Sequence, residues 1–189
     1  LPNIDLYMDQ VTTFMDQQLQ ASKRFDEDKI LTKTMINNYA KNDLLPPPLK
    51  KKYTKEHILT LIFIYYFKNI LSISDIQAIL NPITEKYFGS SGDISLEDIY
   101  SEVFRLEKSE GSHLQKDIAR KFQLSRDTFG DIDEQDQSDM QMFAFICLLC
   151  FDVYVKKQLI EKIIDSRPSS KQEEAAKKSK KPEEPKQKH

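Results

Sequence analysis

Apolar residues recur along this chain mostly at helical spacing, with little of the strict alternation that marks half-buried strands. Leu6, Val11, Met15 and Leu19 form one stripe of a helix predicted over residues 5–22. The chain has only four glycines, fewer than turn-rich β architectures usually need. The pattern therefore predicts an all-α fold class.

The densest apolar segment lies in the middle of the chain. Residues 54–70 are apolar on most sides, as expected of a helix enclosed by its neighbours. A shorter helix is predicted over 31–45, and another is expected to start at Ser72 or Ser74. Further helices are predicted over 95–110, 114–122 and 139–166.

Glycine and proline divide this succession of helices. Three prolines at 46–48 end the second helix, and the glycines at 89 and 92 mark a boundary. We therefore predict a head over residues 1–88 and a helical body over 93–166, with a break or kink in the body at Gly111. Residues 167–189 are rich in Lys, Glu, Pro and Ser and nearly devoid of apolar residues, so this tail is expected to be disordered.

Charge is unevenly distributed between these parts. Residues 29–57 contain seven Lys against Asp43 and Glu56, a net charge of +5. Residues 95–165 contain nine Lys or Arg against fifteen Asp or Glu, a net charge of −6. A basic head on an acidic body can bind a polyanion through one face while the body repels it.

The second predicted helix has a polar face rich in hydrogen-bond donors. Its members recur at helical spacing opposite Met35, Ile36 and Tyr39: they are Lys33, Thr34, Asn37, Asn38 and Lys41. Asn can bond bidentately to adenine, and Lys reaches phosphates or guanine. The alternative interpretation is an ordinary solvated helix face.

A short basic segment follows the prolines. Lys50, Lys51 and Lys52 lie between a proline turn and the next helix, where their ammonium groups could contact phosphates. Tyr53 closes the segment and completes the candidate DNA-binding set. Core packing is the alternative for the rings of Tyr53 and Tyr39, and a solubilising charge run is the alternative for the lysines.

The order of these parts resembles the MerR-type winged helix-turn-helix. Tyr39, Leu44-Leu45, the prolines 46–48, Tyr53 and the segment Leu71-Ser-Ile-Ser-Asp-Ile76 match its landmarks. The chain is more similar still to the bacterial DUF1836 proteins, through LYMDQ, LTKTMINNY, LLPPP, KKKY and LSISDIQ. The resemblance implies a winged helix-turn-helix (MerR-like) head followed by a helical body, and it carries no inference about whether an effector ligand exists.

The residues and the resemblance together lead to one expected function and one alternative. We expect a sequence-specific DNA-binding protein, a cytoplasmic transcription regulator of a bacterium, that binds double-stranded DNA as a homodimer. The alternative is a protein–protein interaction module on a degenerate winged-helix scaffold. Asn37 and Asn38 favour this alternative, because MerR-type proteins have a DNA-contacting Arg and a Tyr there.

No catalytic constellation is expected, and the chain is therefore not predicted to be an enzyme. No cofactor or metal site is predicted either, since the acidic segment 131–139 lacks the central Gly and terminal Glu of a calcium loop. Cys147 and Cys150 are interpreted as buried hydrophobes of a reducing cytoplasm. The longest apolar run, 142–151, is half of a membrane span, so no membrane partner is expected.

The apolar start of the last predicted helix needs a cover. Apolar residues surround most of the helix between Met140 and Ile164, and the two preceding body helices are short. A second copy of the chain could supply the missing cover.

Overall fold

The computed structural model describes residues 4–167, and these residues are mostly helical, which confirms the all-α class. Its elements in chain order are β1 (Leu6–Tyr7), α1 (Met8–Gln18), α2 (Lys33–Lys41), β2 (Lys52–Tyr53), α3 (Lys55–Phe67), α4 (Ile73–Tyr87), α5 (Leu96–Arg126) and α6 (Glu134–Asp165). The tail predicted over 167–189 lies outside the described residues apart from Arg167.

The start of the chain differs from the single helix predicted over 5–22. Leu6 and Tyr7 instead form β1, which pairs antiparallel with β2 in the register Leu6–Tyr53 and Tyr7–Lys52. The backbone N–H of Tyr7 donates to Gln10 Oε1 at 2.8 Å. Helix α1 therefore begins only at Met8 and ends at Gln18, and a 3-10 turn follows over Gln20–Ser22.

Helix α2 is also shorter than the predicted 31–45. Asp43 adopts a left-handed backbone with φ of 53°. This turn allows the N–H groups of Leu44 and Leu45 to donate to the carbonyl of Tyr39 at 2.9 and 3.2 Å. The chain leaves the helix there and buries both leucines in the core.

Helix α3 is the centre of the core, as its all-round apolar pattern predicts. Ile58, Leu61 and Ile64 are fully buried and share one core with side chains of α1, α2 and α4. Burying a side chain of this size contributes about 1.5–3 kcal/mol relative to leaving it exposed. Neighbouring helices contribute the apolar side chains Val11, Met15, Ile36, Ile76 and Leu80.

The body is a pair of long antiparallel helices rather than three shorter ones. The Ser95–Asp98 capping box starts α5 as predicted. Gly111 does not break the helix: a Cβ built on it would meet no atom within 4 Å, and its φ lies outside the left-handed region. The loop to α6 covers 127–133, shorter than the interval between the helices predicted over 114–122 and 139–166.

An aromatic cluster joins the head to this pair of helices. Phe63 of α3 contacts Tyr100 of α5 with ring centroids 5.9 Å apart, and Tyr66 contacts Phe104 at 5.6 Å. Near the carboxyl end of α6, Ile164 is buried in the same core. The division at residues 89–92 remains a prediction, and the two parts contact each other across it.

Candidate nucleic-acid interface

The polar face predicted on α2 is exposed along its length. Thr34, Asn37, Asn38 and Lys41 are all accessible, while Ile36 and Tyr39 on the opposite side are buried. The hydroxyl of Thr32 caps the helix by accepting from the N–H of Met35 at 3.2 Å. The side-chain amides of Asn37 and Asn38 therefore project from the same exposed side of the helix as Thr34 and Lys41.

Contacts at both ends hold α2 in place. The ammonium of Lys68 donates to the carbonyl of Ile30 at 2.9 Å, just before the helix, and burial lowers the pKa of Lys68. After the helix, the side-chain amide of Gln77 donates to the carbonyl of Asn42. The exposed face is thus positioned by α3 and α4 before any partner binds.

The basic segment forms a tight turn, which we call the lysine turn, over Leu49–Lys52. The N–H of Lys52 donates to the carbonyl of Leu49 at 2.9 Å. The two central residues, Lys50 and Lys51, have φ of 49° and 64°. Two consecutive positive values are those of a type I′ hairpin turn, for which Asn and Gly are the favoured residues.

The start of α1 brings α2 and the lysine turn together. Lys33, in the first turn of α2, forms an ion pair with Asp9 of α1. The ammonium of Lys52 lies 5.7 Å from the ring centroid of Tyr7, two residues before Asp9. The amino end of α2 and the lysine turn therefore both contact the start of α1.

Several lysines between residues 29 and 57 form no ion pair with any residue between 4 and 167. Lys33 and Lys55 form ion pairs with Asp9 and Glu97, which lie outside the basic segment. Lys41, Lys50 and Lys51 form none with any residue between 4 and 167. Their three positive charges are therefore available to an external anion.

Tyr53 belongs to the core, in contrast to its predicted place in the DNA-binding set. It is 3% exposed and pairs with Leu6 across the two-stranded sheet. Its ring lies edge-on to His57 at 5.4 Å, and burial raises the pKa of its hydroxyl. A ring enclosed in this way has no free face for a base, so packing is the role that the structure gives it.

His57, outside the predicted set of site residues, lies buried in the first turn of α3. Its Nδ1 accepts the N–H of Thr54 at 3.0 Å, which completes the cap of α3. Its ring is buried edge-on against Phe88 at 4.7 Å, and burial lowers its pKa. The sequence signal for this role is its position three residues after Thr54, because the side chain at that position of a capping box bonds to the backbone N–H of the cap residue.

Other candidate chemistry gives little within residues 4–167. No group of three or more His, Cys, Asp or Glu in this range could hold a metal ion. No helix in the same range has the length and apolarity needed to cross a membrane. Cys147 is half-buried and Cys150 is exposed, so the prediction that both are buried was wrong. The physical reason is that no other part of the described chain covers this side of α6.

The comparisons with known proteins point to one family. No curated protein matches the chain, and no solved structure does either. A family model described as a domain of unknown function, DUF1836, matches residues 1–103. That range covers the whole head and the first turns of α5, more than half of the chain. The chain therefore belongs to the DUF1836 family, as the motifs from LYMDQ to LSISDIQ predict.

Proposed function

We propose that this protein binds double-stranded DNA sequence-specifically through α2 and the lysine turn, as a cytoplasmic transcription regulator of a bacterium. In this proposal the head acts as a MerR-like winged helix-turn-helix: α2 lies in the major groove and the lysine turn contacts the adjacent phosphates. The observation that carries it is the contact of both elements with the start of α1, with Lys41, Lys50 and Lys51 forming no ion pair among residues 4–167.

The chemistry of the two elements divides the work between them. The side-chain amides of Asn37 and Asn38 can each present a donor and an acceptor to one base edge, which is the pattern that adenine offers in the major groove. The ammonium groups of Lys50 and Lys51 are point charges suited to phosphates. The turn therefore contributes affinity for any sequence, and α2 contributes the discrimination between sequences.

Backbone strain at the lysine turn supports a functional role for it. A residue with a Cβ in the left-handed region costs about 1–2 kcal/mol, and Lys50 and Lys51 both adopt it. Asn-Gly would form the same turn with less strain. Lysine at both positions is understandable if charge at the tip of the turn matters more than the ease of forming it.

Binding to random genomic duplexes, measured by fluorescence anisotropy at two salt concentrations, tests the general part of the proposal. Affinity should fall by about tenfold to a thousandfold between low and physiological salt if three or more phosphates are neutralised. Replacing Lys50 and Lys51 by Gln should weaken all duplexes alike and lower the salt slope by about 2. The matched control is Lys116→Gln, an exposed lysine on α5, which should change neither.

Selection of a preferred site from a random library tests the specific part. With that site in hand, Asn37→Ala or Asn38→Ala should cost about 1–3 kcal/mol at particular base pairs and little elsewhere. A uniform loss across all sequences would mean that the amides hold phosphates instead.

The alternative function is a protein–protein interaction module on the same scaffold. Asn37 and Asn38, in place of an Arg and a Tyr, are the observation that favours it. Failure of every duplex to bind at low salt, by a folded protein, would select this alternative over DNA binding.

A further inference from the structure

Helix α6 exposes an apolar seam with the repeat of a coiled coil. Alternating steps of four and three residues from Met142 give the positions of the seam, which are Met142, Ile146, Leu149, Val153, Lys156, Ile160 and Ile163. Met142, Ile146 and Val153 are 51%, 51% and 61% exposed, and Leu149 is half-buried. A helix that keeps this spacing on its open side has the pattern that fits a partner helix of the same spacing.

Between residues 139 and 156 the seam is separate from the surface that α6 packs against α5; further on, the same side of α6 contacts the head through Ile164. Towards α5, Asp152 is hydrogen-bonded to the buried Lys121 at 2.5 Å, and Phe145 contacts Phe122 at 5.3 Å. Both side chains lie roughly a quarter-turn or more away from the line of Ile146 and Val153. The α5–α6 pair is therefore already formed, and it leaves the seam facing outward.

The exposed apolar area supplies most of what a stable interface needs. Between Asp139 and Lys156, six side chains on or beside the seam are exposed: Met142, Phe143, Ile146, Cys150, Val153 and Tyr154. At about 100 Å² each, half of what a large side chain offers, they would supply roughly 600 Å². A standard interface buries about 800 Å² on each partner.

Charge at the ends of the seam selects both the partner and its direction. Asp139 lies one step before Met142 in the same repeat, and Lys156 follows Val153. If two copies of α6 pack antiparallel with residue numbers that sum to 295, Met142 faces Val153 and Ile146 faces Leu149. The same register places Asp139 opposite Lys156 at both ends. A parallel pair would instead place each of these charges opposite its own copy.

We propose that α6 packs against α6 of a second copy of this chain, antiparallel, with two apolar layers on each side of the two-fold axis bounded by Asp139–Lys156 pairs. The axis crosses α6 between Cys147 and Leu148. The interface is self-complementary, as a two-fold dimer requires. This pairing stands independently of DNA binding, because it is read from the mass of the protein in solution.

Sedimentation equilibrium of the full chain at micromolar concentration tests whether a second copy of the chain covers the seam. The wild type should be a dimer, and Val153→Asp should shift it to monomer with unchanged helix content in far-UV circular dichroism. The matched control is Phe151→Asp, an equally exposed apolar residue on the opposite side of α6, which should remain a dimer. A monomeric wild type, or dissociation by Phe151→Asp alone, would overturn the proposal.

A charge exchange tests the register with two exposed residues; because Lys156 also pairs with Asp152 of its own chain at 3.3 Å, rescue by the double variant is the result that reports on the interface. Asp139→Lys and Lys156→Glu should each weaken the dimer by roughly tenfold, because each creates two like-charge pairs. The double variant should restore the wild-type dissociation constant. Lys162→Glu, an exposed lysine away from the seam, serves as the control for a change of net charge. Single variants that dimerise like the wild type, or a double variant that is no tighter than the singles, would exclude the antiparallel register.

Discussion

The strained lysine turn permits a prediction about stability that is independent of any ligand. Lys51 has φ of 64°, a conformation that glycine adopts without steric cost. Lys51→Gly should relieve about 1–2 kcal/mol of strain and lose about 0.5–1 kcal/mol to the greater freedom of glycine in the unfolded chain. The free energy of unfolding should therefore rise by about 0.5–1 kcal/mol, which in a chain of this size corresponds to a few degrees in Tm.

Urea unfolding followed by far-UV circular dichroism measures this gain. The matched control is Lys52→Gly at the next position, where φ lies outside the left-handed region, and glycine there should destabilise by about 0.5–1 kcal/mol. Equal losses for the two variants would refute the strain reasoning. If the proposed function is correct, Lys51→Gly should also bind duplex DNA more weakly, with a salt slope lower by about 0.9.

Two other features of the fold lead to expectations about stability. Burial lowers the pKa of His57 below its ordinary value of 6.5, so the unfolded chain takes up this proton first as the pH falls. Stability should therefore decline from pH 7 to pH 5, and His57→Gln, which keeps an acceptor for the N–H of Thr54, should flatten this slope in urea titrations at several pH values. Gly111→Ala should raise the free energy of unfolding by about 0.5–1 kcal/mol, because alanine favours the helix more than glycine does and the added methyl group would meet no atom within 4 Å. Gly89→Ala should lower it, because φ there is +67°, and thermal unfolding that gave both glycine variants the same sign would contradict this pair.

The helical part of the fold was predictable because its signals are local. The cap residues Thr32, Ser72 and Ser95 and the apolar pattern of α3 locate helix starts and the core without knowledge of distant contacts. Strand β1 was missed because its two residues are extended only through pairing with β2, more than forty residues away. The break predicted at Gly111 was wrong, because one glycine destabilises a helix by less than the neighbouring helix-favouring residues stabilise it.

The candidate interface was predictable in composition and only partly in geometry. The exposed face of α2 follows from its 3.6-residue pattern. The pairing of Lys33 with Asp9 and the burial of Tyr53 depend on where α1 and β1 lie, which no local pattern states. The left-handed turn at Lys50 and Lys51 gives no sequence signal, because lysine has no preference for that conformation.

Ile164 marks the point at which α6 contacts the core of the head, so the length of α6 determines how far the head lies from the proposed two-fold axis. In the proposed pairing, about 16 residues separate the two-fold axis from Ile164, or about 25 Å along the helix. The points at which the two heads join the paired helices would then lie about 50 Å apart, a span of about 15 base pairs at 3.4 Å per step. Lengthening α5 and α6 by one heptad between seam and head would add about 21 Å to this separation without altering a residue of the proposed DNA-binding surface. The body would thus act as a ruler, and the spacing between half-sites would be set by helix length while their sequence is set by α2.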